Sequence, residues 1–183
     1  MVRLVSSGIA PVAALSSTSS VLVENIPDNA ASILEVNYKP TLAGTRFYFN
    51  FRDSSNNNLR KYYNLVRFEG ATSRDSSGTY SSTGTTGNIT HTPLTNPTVN
   101  NSYWSTVRLI IYNYGTDSPS TVSWFSVGAV SFGQAHAIFR MKNSTNTGFA
   151  PVSKFYMYHS NSTTGSNADF NYRLTKIRDV DLS

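Results

Sequence analysis

The chain has 183 residues, a formal charge of +5 at neutral pH, a pI near 9.5 and no cysteine. That length suits one domain with a core large enough to fold unaided, and the missing thiols exclude disulfide frameworks, cysteine–zinc sites and cysteine nucleophiles. Charged residues make up only 14%, against roughly 25% in an average globular protein. Polarity is therefore carried by Ser, Thr and Asn, which favour turns and strand surfaces. Aromatics, mostly Tyr and Phe, reach 13% and suit pleated sheet, so the composition reads as all-β.

The chain opens on Met1-Val-Arg-Leu4 and continues through Ile9-Ala-Pro-Val-Ala-Ala-Leu15. Ser6-Ser-Gly8 and Pro11 break this stretch too often for the apolar centre of a signal peptide. It reads instead as an extended arm over residues 1–19, with Leu4, Val5, Ile9, Pro11, Val12 and Leu15 as its apolar contacts, ahead of a folded domain over 20–183. Val21 to Ile26 is a first strand, stopped by the turn Pro27-Asp-Asn29. Ile33 to Tyr38 alternates, with Leu34, Val36 and Tyr38 on one face and Glu35 and Asn37 on the other. Thr45 to Arg52 sets Phe47, Phe49 and Phe51 towards a core, and Ser54 to Asn58 reads as a hairpin loop returning through Leu59 to Glu69.

From Gly70 to Ser102 the chain is almost all Ser, Thr, Gly, Asn and Pro. A connection of that length inside a compact domain is usually functional or disordered. Asn143 to Gly148 and Ser160 to Asn167 share its chemistry as shorter surface loops. Strands resume at Tyr103 to Tyr114, apolar enough to be central, then Thr121 to Val130 with Val122 and Trp124 on one face. Ala135 to Lys142, Val152 to His159 and Phe170 to Val180 complete the set. Eight or nine such strands predict an antiparallel two-sheet β-sandwich, jelly-roll-like, with an extended N-terminal arm, since a lone sheet would leave an apolar face unburied.

Catalytic and metal signatures are not evident along the sequence. His91, His136 and His159 are far apart and lack a metal-ligand spacing. The acids fall mostly at strand ends and in turns, and no pair is singled out for glycoside hydrolysis. There is no Gly-x-Ser-x-Gly elbow, and Gly84-Thr-Thr-Gly87 lacks the lysine of a phosphate cradle. Neither an enzyme nor a cofactor is expected. The basic residues (Arg46, Arg52, Arg67, Arg108, Arg140, Lys154) are scattered, which disfavours nucleic acid as a partner despite the net charge. No apolar run reaches the ~20 residues of a membrane span. The remaining candidates for a surface site are Tyr80, Tyr103, Trp104 and Tyr158, whose flat faces with polar tips suit a sugar ring or a protein contact.

Several short motifs fall in a recognisable order. A Ser-rich lead enters a strand ending in Ile-Pro, Ser16-Ser-Thr-Ser-Ser-Val-Leu-Val-Glu-Asn-Ile26-Pro27. An aromatic strand follows, Phe47-Tyr-Phe-Asn-Phe51, then Arg60-Lys-Tyr-Tyr63, and later Leu109-Ile-Ile-Tyr-Asn-Tyr-Gly115. From Ser16 to Val180 this layout resembles the small virion structural proteins of tailed bacteriophages. The chain departs from that pattern at its last strand, where Phe170-Asn-Tyr-Arg-Leu174 replaces a Leu-Tyr-Gly-Ile-like ending. The resemblance implies a sandwich serving in the tail, its fibres or the head surface, located in virions assembled in the bacterial host cytoplasm, and it carries no catalytic residue over. With the arm, it leads to the expectation of a homo-oligomer, a trimer in first place, contacting other virion proteins. A capsid-decorating protein and a carbohydrate-binding reader of host surface glycans are the alternatives.

Overall fold

The computed structural model describes residues 13–18, 20–41, 47–68, 78–80, 104–116, 118–127, 134–145, 147–159 and 168–179. Among them eleven strands and no helix are present. The strands are β1 (Ala13–Thr18), β2 (Ser20–Val23), β3 (Ala30–Pro40), β4 (Phe47–Arg52), β5 (Arg60–Phe68) and β6 (Gly78–Tyr80). They continue with β7 (Ser105–Tyr112), β8 (Thr121–Val127), β9 (Gln134–Lys142), β10 (Lys154–His159) and β11 (Ala168–Asp179). Every pairing is antiparallel, in an eight-stranded sheet ordered β1-β11-β3-β7-β8-β9-β5-β6 and a three-stranded sheet ordered β2-β10-β4. The fold is thus the two-sheet antiparallel sandwich that strand alternation anticipates, with sheets of unequal width.

The period-2 patterns fill the space between the sheets. Leu34, Val36 and Tyr38 of β3, Val107, Leu109 and Ile111 of β7, and Val122 and Trp124 of β8 point inward from the wide sheet. Val21 and Val23, Phe49 and Phe51, and Phe155 and Met157 meet them from the narrow one. At the centre the rings of Phe49 and Trp124 stack at 4.1 Å with 26° between planes. Phe155 packs 6.1 Å from Phe49 and 6.3 Å from Trp124, and Phe51 stands edge-on to Phe49 at 5.6 Å. Tyr38 is sealed in as well, its hydroxyl sharing a hydrogen bond with the Ser105 side chain opposite, and burial pushes its phenol well above the usual tyrosine range.

One buried amide closes an end of the sandwich. Asn113, just past β7, is 0% exposed. Its Nδ2 donates to the carbonyls of Pro27 (2.8 Å) and Val152 (2.9 Å), its Oδ1 accepts from the Val152 N–H (2.9 Å), and its own N–H reaches Ala30 O (3.0 Å). It thereby joins the β2–β3 corner, the end of β7 and the segment leading into β10. Two residues on, Gly115 holds φ = +67°, and the Asn29 carboxamide oxygen lies 2.9 Å from where a Cβ would stand, so a side chain there would be strained and would displace Asn29.

Two expectations change. Ser54 to Asn58 does not head a hairpin. A turn forms, with Asn56 N donating to Asp53 O and Leu59 N to Phe51 O, but pairing stops at the single bridge Arg52↔Asn58. Beyond it, β4 belongs to the narrow sheet and β5 to the wide one. Leu59 is fully buried at this corner, an anchor that draws the chain into the core and across to the other sheet. The strand count also rises from eight or nine to eleven, partly because Gly78–Tyr80, within the long polar segment, pairs with β5. The rest of that segment, like residues 1–12 with Leu4, Val5, Ile9, Pro11 and Val12, lies outside the described residues. Ala13–Thr18, by contrast, is a sheet strand along β11, with Leu15 opposite Phe170.

Truncating the cross-sheet stack and breaking the buried amide should both be expensive. Trp124→Ala should lower stability by about 3–5 kcal/mol in urea unfolding, in the range of buried aromatic deletions. Asn113→Ala leaves the buried Val152 N–H and two carbonyls without a partner, at roughly 1–3 kcal/mol per orphaned group, so a loss near 3 kcal/mol is expected. A loss under about 1 kcal/mol in either variant contradicts this account of the core.

Candidate binding surface on the eight-stranded sheet

Because β3, β7 and β11 bury one face, their alternate residues stand together on the outer face, brought side by side by register. Arg173 of β11, Glu35 of β3, Arg108 of β7 and Phe125 of β8 are successive cross-strand partners in one row. Both arginines converge on a single carboxylate. Arg108 donates from Nε to Glu35 Oε1 at 2.9 Å and also from Nη2, and Arg173 Nη2 meets Oε2 at 3.2 Å. The arginine side chains are more than half exposed while Glu35 is only 20% exposed, so the row carries one surplus positive charge at the surface.

The neighbouring row is neutral and polar. Thr106 Oγ1 donates to Asn37 Oδ1, and Asn37 Nδ2 donates to Asn171 Oδ1, each at 2.7 Å. Glu35, Asn37, Asn171, Tyr172 and Arg173 line a shallow cavity of about 190 Å³ between the rows. This is smaller than the roughly 300–1,000 Å³ of drug-sized ligand pockets and suits one ring. At the end of the charged row Phe125 is 41% exposed, with Ile138 of β9 exposed diagonally across from it.

A larger recess of about 480 Å³ lies at the β2–β3 corner, lined among others by Glu24, Pro27, Asp28, Ser54 and Lys154. Its lysine is already neutralised, Lys154 Nζ lying 3.2 Å from Glu24 Oε1. Partial burial raises the Asp28 carboxyl above the usual range. This recess thus holds paired and weakly acidic groups without an aromatic wall, and the outer face of the wide sheet is the better-equipped surface.

The residues singled out from the sequence are spread apart. Trp104 is 46% exposed immediately before β7 in the wide sheet. Tyr158 lies on β10 in the narrow sheet, stacked on Tyr156 at 5.1 Å and 20°. The Arg52 guanidinium, held by Asn58 (3.1 Å) and Asn56 (3.2 Å), lies over the Tyr156 ring at 4.4 Å. Register puts Arg52 beside Lys154 and Tyr158 two residues the other way, so Tyr156 is covered on both faces. The Arg–Tyr–Tyr pile offers ring edges and hydroxyls to a ligand, with Tyr156 closed to stacking. Tyr80 has its backbone in β6 opposite Tyr63, and Tyr103 lies outside the described residues. Glu35 and Asn37 are legible as outward positions of one strand. Their meeting with Arg108 across 73 residues and with Asn171 across 134 is a property of sheet order.

No family model matches the chain, and no curated protein is found to match it. Among the described residues no group of three or more His, Asp or Glu is placed to hold a metal ion.

Asp28 supplies a pH test. Its pKa is higher in the folded chain than unfolded, so the native state binds the proton more readily, and its contribution to stability grows as pH falls through the folded pKa. Asp28→Asn should accordingly be no less stable than the parent at pH 7, with the difference shrinking below about pH 4, where the parent carboxyl is protonated. Chemical denaturation at the two pH values measures it; a variant clearly weaker at pH 7 would show that the charged form is needed.

Proposed function

We propose that the chain is a non-enzymatic structural protein of a tailed-bacteriophage virion, assembling as a homo-oligomer, a trimer in first place, on the tail or its fibres. The ordered motifs from Ser16 to Gly115 support this reading, and so does a sandwich whose chemistry is that of contact surfaces. The observation that carries the assembly half is the position of β1. Ala13–Thr18 is an edge strand whose pairing partner is β11, and one residue separates it from β2 in the other sheet. Its pairing is interrupted between Leu15 and Thr18. An edge strand held through backbone pairing at a sheet margin can be exchanged between copies, and the β11 edge accepts the same strand from a neighbour. In a closed ring each copy gives one strand and receives one. Attachment to the head surface is the second reading within this class, separated from the first by where antibody-bound gold sits on purified particles.

Deleting Met1 to Ser19 tests the proposal. The truncated chain should keep its β-rich circular dichroism spectrum, lose the trimer mass built from 20.1 kDa subunits in light scattering, and fail to enter particles. Normal incorporation of the truncated chain would overturn it.

A further inference from the structure

We infer that the outer face of the eight-stranded sheet binds a saccharide bearing a carboxylate, through Arg108, Arg173 and the Asn37–Asn171 row, with Phe125 as the stacking ring. The inference stands apart from the virion reading and is testable on the isolated chain.

Charge comes first. One carboxylate serves two guanidiniums, and each arginine retains N–H groups beyond those it gives to Glu35: Arg108 has its Nη1 pair, and Arg173 has Nε and Nη1. Arginine's planar fork matches a carboxylate with two parallel hydrogen bonds. Glu35 holds the two forks on either side of one strand, so they are positioned before a ligand arrives.

Direction in the amide row comes second. Thr106 gives its proton to Asn37, and Asn37 gives one to Asn171, so the chain of bonds ends in the Asn171 amide as donor. Sugar hydroxyls both donate and accept, and they fit such a row. The 190 Å³ cavity lies between the amides and Arg173, where a ring carrying its carboxylate would span both rows. Phe125, beside Arg108, supplies the apolar surface on which the C–H face of an adjoining ring can rest. The acidic partner is selected by the surplus charge; a neutral sugar would leave it uncompensated.

Arginines this exposed give weak single-site affinity, since water and salt screen them. The test is therefore calorimetry at low and physiological salt with three probes: an alginate oligosaccharide, sialyllactose and maltohexaose. Binding of one or both carboxylated probes at least about tenfold tighter than maltohexaose is expected, and the two acidic probes separate a uronic acid from a sialic-type sugar. Arg108→Ala and Arg173→Ala should each weaken that binding about tenfold or more, Arg108→Lys should restore little of it, and Phe125→Ala should weaken all ring binding. Arg140→Ala, an exposed arginine on β9 outside both rows, should leave it unchanged. Circular dichroism of every variant checks the fold. Equal binding of neutral and acidic probes, no binding of either acidic probe, or an Arg140→Ala loss as large as that of Arg108→Ala would each overturn the inference, the last by reducing it to the net charge of +5.

Discussion

The contact on which the rest depends is the stack of Phe49 on Trp124, where the narrow sheet meets the wide one. A sheet with one apolar face is not stable alone in water, and two such sheets gain by closing on each other. The Phe49, Phe51, Trp124 and Phe155 rings fill the space between them with large, stiff groups that leave few ways to pack. Asn113 then pins one end, tying three separate segments by hydrogen bonds inside a region where an unmade bond is costly. Without these two devices the outward residues would have no common frame.

That frame explains why surface groups with modest individual energies can still act together. In a strand, burying Leu34, Val36 and Tyr38 obliges Glu35 and Asn37 to face outward, and the same holds for Arg108 between Val107 and Leu109. The outer rows are thus set by the core on their reverse side. A row of exposed ion pairs adds little to stability, so its arrangement contributes more to what the surface can hold than to how firmly the chain folds. If copies associate, several such faces act on one polymer, and weak contacts become useful through effective concentration.

Alternation made much of the fold legible beforehand. Phe49 and Phe51, the β3 triad, and Val122 with Trp124 all lie inside, as a period of two requires. Connections are less legible. The Asp53–Asn58 turn has the composition of a hairpin loop, but only one bridge closes it, Leu59 is buried and the chain crosses to the second sheet. That residues 13–18 of the expected extended arm run along β11 is set by backbone atoms, which carry no side-chain signature. The same limit applies to the surface. Tyr158 was noticeable as an aromatic, yet its neighbour Tyr156 and the arginine on it take part in one pile. The Arg173–Glu35–Arg108 row is assembled from three strands whose adjacency only the sheet order reveals.

The order of the narrow sheet has a consequence in time. Its middle strand, β10, is Lys154–His159, while the strands it joins are β2 near the start of the chain and β4 before its first third is complete. During synthesis from the N-terminus, Val21, Val23, Phe49 and Phe51 leave the ribosome long before Phe155 and Met157 exist to pair with them. β3 waits as well, first for β7 and then for β11, which is made after β10. Long-range pairings of this kind fold slowly. The nascent chain must carry the apolar strands β2 and β4 in an open state until β10 has been made, and its low content of charge gives those strands little protection from one another.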